Sequence, residues 1–315
     1  MTAGPHIARG GWAAVVRADL VEVTGPDARE FLQGQLSRDV VSLAPGTCRR
    51  TLILRPDGRL GFWGRVTCLE SERFLIDVSA TRGEDLAARL ERFRLRVACT
   101  VAWRPATCVQ VRRVDLREIP DEGPSRVGDG VMELPLLWPR LGGVDLFVGT
   151  KVDPTPLVER WDAVVDPRRV EALRIAAALP GPAELREGVI PEEAGLVETS
   201  VDFSKGCYVG QELVARIQHR GRNVPRRLRV LRSDFETLRA GEEITRSGSV
   251  VGEVTSAASL PERGITLALA YLKRGVERED HLVVGGDPRR KVSLLSEGEA
   301  VELLGRAASP DHRRR

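Results

Sequence analysis

The chain has 315 residues, 42% of them hydrophobic and 30% charged, and a formal net charge of +3; that length supports two or three domains, each with its own core. So small a charge, with only 4% aromatic residues, argues against direct nucleic-acid binding, which calls for a basic stripe and stacking rings. No stretch approaches the roughly 18 apolar residues that span a bilayer, and residues 1–20 hold no continuous apolar leader segment, so the chain reads as soluble and cytoplasmic, with no membrane partner.

Residues 19–24 read as a strand, and Pro26 then opens a helix through Ala28, Phe31, Leu32 and Leu36 that also carries Gln33 and Gln35. Strands over 51–54 and 60–69 flank Pro56-Asp57-Gly58. Proline presets φ in such a turn, and Asp and Gly suit the positions after it. A strand near 74–78 precedes Gly83 and a helix through Leu86, Leu90 and Phe93. Residues 117–130, rich in Pro, Gly, Asp and Glu, are expected to form a loop. Asp166 and Pro167 suit the N-cap and first turn of a helix carrying Val170, Leu173 and Ala177, which Pro180-Gly181-Pro182 ends. After Asn223 and Pro225 the pattern changes to short β segments near 226–232, 242–246, 249–256, 265–271 and 298–304, as in a small barrel or sandwich. Asp311 to Arg315 read as a frayed tail. The mixture of strands and helices gives an α+β fold.

The five cysteines, Cys48, Cys68, Cys99, Cys108 and Cys207, are odd in number and include no C-x-x-C pair, so neither a disulfide framework nor a zinc site is indicated. Four lie in apolar or strand-like surroundings, where thiols are usually inert. Cys207 differs by its company in Lys205-Gly206-Cys207-Tyr208-Val209-Gly210-Gln211-Glu212. The sequence holds only four Lys against 44 Arg, with one Asn, two Tyr and five Gln, yet Lys205, Tyr208, Gln211, Gln218 and Asn223 fall within one short stretch. A lysine kept where arginine is the default points to a need for a compact amine. Gly206 and Gly210 allow a tight or left-handed backbone, and Leu213, Val214 and Ile217 suit a buried helix face over 211–219. Cys207 then precedes a helix N-terminus, where peptide dipoles favour an anion and Lys205 adds positive charge; both point to a reactive thiol. The alternative is a glycine-rich loop in which Cys207 is simply packed.

KGCYVGQE resembles the signature of the YgfZ-like proteins, a folate-binding branch of the glycine-cleavage T-protein (aminomethyltransferase) superfamily associated with making or repairing iron-sulfur proteins. FLQGQLSRDV at 31–40, PDGR at 56–59, ALRIAAALP at 172–180, IPEEAGL at 190–196 and EVTSAA at 253–258 are similar to family segments in the same order. The resemblance implies a T-protein-like α+β fold: two interleaved N-terminal subdomains around a folate cleft within residues 1–225, then a C-terminal β-barrel domain over 226–315. It implies tetrahydrofolate or a derivative as cofactor, with Glu193 hydrogen-bonding the pterin and Gln33, Tyr208, Gln211, Glu212 and Arg216 at the folate site. Cys207 and Lys205 are the implied reactive pair, and no metal site is implied.

Departures from the T-proteins bear on activity. Those enzymes carry a catalytic acid in the first half, whereas residues 55–66 here hold only Asp57, read as a turn residue. Their motif also usually lacks the cysteine, so glycine-cleavage activity is disfavoured. The expected function is a folate-binding accessory factor for iron-sulfur cluster assembly or repair, whose partners are iron-sulfur client or assembly proteins. The alternatives are a folate-dependent one-carbon transferase and an indirect factor in tRNA modification.

Overall fold

The computed structural model describes residues 11–115, 117, 122–234 and 237–305. The expected tail at 311–315 lies outside them. The strand read at 19–24 is the back of a longer one, β1 (Gly11–Thr24), and α1 (Ala28–Gln35) follows it. β2 (Thr47–Leu54), β3 (Leu60–Glu70) and β4 (Arg73–Ser79) form a meander, and α2 (Gly83–Phe93) leads to β5 (Thr100–Val114). The stretch expected as a loop contains two short strands, β6 (Gly123–Pro124) and β7 (Arg126–Gly128), ahead of β8 (Val131–Pro135) and β9 (Leu141–Val148). They form by pairing with β2 and β8, tertiary partners that override their turn-like composition. Then come α3 (Thr155–Arg160), β10 (Ala163–Val165), α4 (Pro167–Ala176), α5 (Val197–Ser200) and α6 (Gln211–His219).

Ten strands make one sheet in the order β6-β2-β3-β4-β1-β5-β9-β8-β7, with β10 parallel to β1. The long antiparallel pairing of β1 with β5 joins the β6-β2-β3-β4 side of the sheet to the β9-β8-β7 side. Strands β3, β4, β5 and β9 of this sheet carry a buried ion cluster: Arg65 pairs with Asp77 and Asp145, each at 2.8 Å, and Arg112 meets Asp145 at 2.6 Å. Mutual pairing is what makes such charges tolerable away from water.

The remaining strands, β11 (Arg226–Ser233), β12 (Glu243–Arg246), β13 (Ser249–Leu260), β14 (Ile265–Lys273), β15 (Leu282–Val284) and β16 (Asp287–Leu295), close into a barrel in the order β11-β14-β13-β12-β15-β16. The segment read as a last strand, 298–304, is instead a helix, α7 (Glu297–Gly305). Ser296 and Glu299 explain it by forming a reciprocal capping box: the Ser296 N–H donates to Glu299 Oε2 (2.9 Å) and the Glu299 N–H to Ser296 Oγ (3.3 Å). Ala300, Val301 and Leu304 then share one buried face at helical spacing.

The largest core cluster lies where sheet and barrel meet. It joins Leu52, Leu54 and Leu60 of the first hairpin, Leu173 and Ile175 of α4, Leu196 and Val201, and Leu267 and Leu269 of β14. α4 starts as expected, the Asp166 carboxylate accepting from the N–H groups of Arg168 and Arg169 at 3.1 Å each. Glu184, fully buried, ties this segment to both sides: its carboxylate accepts from Arg174, the Gly181 N–H and Ser256, while its carbonyl accepts from Tyr271.

Candidate functional site

The KGCYVGQE segment is a loop held at three points before α6 begins. Lys205 Nζ donates to the carbonyls of Gln33 (2.6 Å), Leu36 (2.5 Å) and Arg38 (3.2 Å), just where α1 ends. An ammonium has three N–H donors that converge on such a set, and a planar guanidinium does not. Burial pushes the Lys205 amine down to about 8, with Asp39 and Asp202 pulling the other way. The Val209 N–H donates to the Gly34 carbonyl (3.1 Å), and Gln211 Oε1 accepts from the Tyr208 N–H (3.1 Å). Tyr208 is half-buried, its ring centroid 5.0 Å from Lys205 Nζ, and burial raises its phenol to about 12.

The third hold is the PDGR turn. Gly210 has φ +80°, and a Cβ there would come 2.3 Å from the Arg55 carbonyl oxygen; one on Gly58, φ +78°, would come 2.4 Å from Leu213 Cβ. Two distant segments therefore pack backbone to backbone, as only glycine permits. Asp57 serves the turn, its carboxylate accepting from the Arg59 N–H at 3.1 Å. The result of all three holds is that Cys207 is exposed ahead of α6, while the other four cysteines are buried.

A second feature, a cavity of about 610 Å³, lies between the sheet and the barrel. Its wall includes Arg50, Trp138, Glu192, Glu193, Arg222 and Arg227. Trp138 stands edge-on to Trp63, ring centroids 5.6 Å apart, and the Arg50 guanidinium lies 4.4 Å from the Trp63 ring. Glu193 is 5% exposed; its Oε2 accepts from Arg226 Nε (3.2 Å) and the Ile190 N–H (3.3 Å), and its carbonyl accepts from the Leu228 N–H (2.7 Å). Neighbouring Glu192 accepts at Oε1 from both Arg222 and Arg227, each at 2.9 Å, while its buried Oε2 has no partner among the described residues. A buried carboxylate oxygen without a donor is costly unless a ligand or water supplies one.

The expected site residues thus fall in two places. Glu193 lines the cavity, whereas Cys207, Lys205, Tyr208, Gln211, Glu212, Arg216 and Gln33 do not. The Gln33 side chain is engaged locally, donating to Asp39 and accepting from the Val40 N–H. Glu212 and Arg216 are exposed on α6. That helix, about 14 Å long at nine residues, separates the two places, with Cys207 ahead of one end and the cavity residue Arg222 beyond the other. Glu192 was missed because it sits beside Glu193 in the same Pro-Glu-Glu segment, and Arg222 and Arg227 are lost among 44 arginines. Among the described residues no cluster of three or more His, Cys, Asp or Glu is placed to hold a metal ion, and no helix is long and apolar enough to cross a membrane.

The sheet and the closed barrel together make a T-protein-like α+β fold. Residues 226–295 match the family described as the glycine cleavage T-protein C-terminal barrel domain. The fold matches the glycine cleavage system aminomethyltransferase T of Bartonella henselae with a TM-score of 0.74 at 18% identity, over 92% of this chain and 86% of that one. In sequence the chain is YgfZ-like. It is 28% identical to the tRNA-modifying protein YgfZ of Edwardsiella ictaluri, over 87% of this chain and 88% of that protein. It is 32% identical to the mitochondrial iron-sulfur cluster assembly factor IBA57 homolog of Pyricularia oryzae, over 67% of this chain. The match spans about half, 54%, of that relative's length.

Proposed function

We propose that the protein is a folate-binding accessory factor for iron-sulfur cluster assembly or repair, acting through Cys207. In this reading residues 1–225 are the folate-binding unit and 226–315 the barrel domain. The observation that carries it is that, of five cysteines, only Cys207 is exposed, on a loop fixed by Lys205 and Gly210. Lys205 is a positioning residue here, since its donors are spent on carbonyls. Cys207 engages an iron-sulfur client transiently; one thiol falls short of the four protein ligands that a stable cluster commonly takes.

Tetrahydrofolate suits the cavity. Its volume lies within the range of small-molecule sites. The buried carboxylates of Glu193 and Glu192 supply acceptors for adjacent N–H donors of a pterin, and Trp138 supplies apolar wall. When bound, the folate would supply a one-carbon carrier; the protein's part is to hold the pterin edge and keep water out.

The test is a strain lacking the gene, complemented with wild type or Cys207→Ser at equal protein levels, with the activities of several iron-sulfur enzymes as readout. Cys207→Ser should fold and bind tetrahydrofolate normally yet fail to restore those activities. Full restoration would make Cys207 a packing residue and refute the reading. An indirect effect on tRNA modification follows if some clients are iron-sulfur enzymes that modify tRNA. A second reading, a one-carbon transferase, is favoured by the unpartnered Glu192 Oε2 in the cavity wall; turnover with tetrahydrofolate and a formaldehyde-derived donor would select it.

A further inference from the structure

Arg50 is the odd cation beside the buried ion cluster of the sheet. On β2 it stands directly opposite Arg65 of β3, and like charges set directly across a sheet repel. Arg65 is matched by Asp77 and Asp145, and Arg112 by Asp145. Arg50 is 6% exposed, yet it has no ion pair among the described residues. Burial, and after it the repulsion of Arg65, push its guanidinium down to about 9, so at neutral pH it is still a cation. A buried charge without a counter-charge is costly, and this one lines the main cavity.

The bonds that Arg50 does make leave one edge of its fork open. Nε and Nη2 both donate to the Leu136 carbonyl, and Nε also to that of Leu137 at 3.4 Å, while the guanidinium lies 4.4 Å from the Trp63 ring. Those contacts use the edge next to the side-chain stem. The other edge, Nη1 with the second N–H of Nη2, has no partner among the described residues, and parallel N–H groups there match the two oxygens of a carboxylate. The cavity's own glutamates are engaged elsewhere: Glu192 with Arg222 and Arg227, Glu193 with Arg226, and Glu297 with Arg140. We propose that Arg50 forms a carboxylate subsite in the main cavity, which takes a small carboxylic acid, of the size of formate or acetate, as a ligand distinct from whatever Glu192 and Glu193 hold. The subsite does not depend on that other occupant being a folate.

Thermal unfolding of the full chain tests this, with sodium formate replacing sodium chloride at constant ionic strength so that general screening is unchanged. The midpoint should rise with formate and saturate in the millimolar range, as mass action requires of a ligand bound by the folded state alone. Arg50→Met should abolish the rise. Arg50→Lys keeps the charge without the two parallel donors, and formate should bind it about tenfold more weakly, so the test holds even where the methionine variant does not fold. Arg229→Met, elsewhere in the same cavity wall, should leave the formate effect intact, which separates a built subsite from the general pull of an arginine-rich wall. No saturable rise in the wild type, formate binding undiminished in Arg50→Lys, or loss of the effect in Arg229→Met would each overturn the assignment. Because no folate is added, none of these outcomes bears on the folate reading.

Discussion

Three glycines in or beside the Cys207 loop should respond differently to alanine, and the contrast tests how the loop is held. At Gly210 the left-handed backbone costs an alanine about 1–2 kcal/mol. Its Cβ would also lie 2.3 Å from the Arg55 carbonyl oxygen and 2.8 Å from Leu54 Cβ. Neither yields easily, since Leu54 is fully buried and Arg55 closes the turn through its bond to Arg59 (2.9 Å). Overpacking of this kind adds about 1–3 kcal/mol, so Gly210→Ala should lose about 3–4 kcal/mol in urea unfolding with an unchanged m-value. Gly58→Ala should also destabilise, and because Gly58 and Gly210 share one contact, the double variant should cost at least about 1 kcal/mol less than the sum. Gly206 has no left-handed φ, and a methyl group added there would meet nothing within 4 Å; Gly206→Ala should be neutral or stabilise by up to about 1 kcal/mol. A loss below about 1 kcal/mol at Gly210, or an equal loss at Gly206, would refute the backbone-to-backbone account.

Two further predictions concern charge. Lys205→Arg should destabilise by about 2–4 kcal/mol, because a guanidinium cannot serve three converging carbonyls and leaves some buried and unpaired; limited proteolysis should then cut near 204–210, and a variant as stable and resistant as wild type would refute the clamp. At Asp145 burial opposes the charge, but Arg112 and Arg65 outweigh it and hold the carboxyl below its ordinary 3.8. As pH falls, the unfolded chain takes up this proton first, so the stabilisation is complete above about pH 4 and is lost as pH falls through 3.8 towards the lower folded value. Unfolding free energies measured from pH 6 to 3 should fall more steeply below pH 4 in wild type than in Asp145→Asn, a weaker protein at neutral pH; equal slopes would refute the assignment.

Local chemistry was readable in the sequence wherever neighbours along the chain decide it. Asp166 with Pro167 capped a helix, Pro56-Asp57-Gly58 turned a hairpin, and the apolar spacing after Gly210 set α6 at 211–219. The same local rule, applied to Ser296 and Glu299, would have found α7, but the run of short strands before it suggested another. What sequence could not show are partners brought together by the fold. The acceptors of Lys205 are main-chain carbonyls of residues 33, 36 and 38, which no side-chain pattern marks. The division of labour between Glu192 and Glu193 depends on which arginines arrive from beyond α6, and any of 44 could have served.

The scarce residues were retained around Cys207 for a reason that differs in part from the one composition suggested. A compact amine is needed at 205, but its geometry answers three carbonyls, so Lys205 fixes where the thiol stands. This separates two questions that the motif had merged, how Cys207 is presented and how the cavity is filled. The element common to both is α6: Cys207 precedes it, and Arg222 after it meets Glu192 in the cavity wall at 2.9 Å. If an occupant of the cavity governs the thiol, its influence has a short physical route, from Glu192 through Arg222 and along the rigid helix to the loop that Gly210 begins to turn.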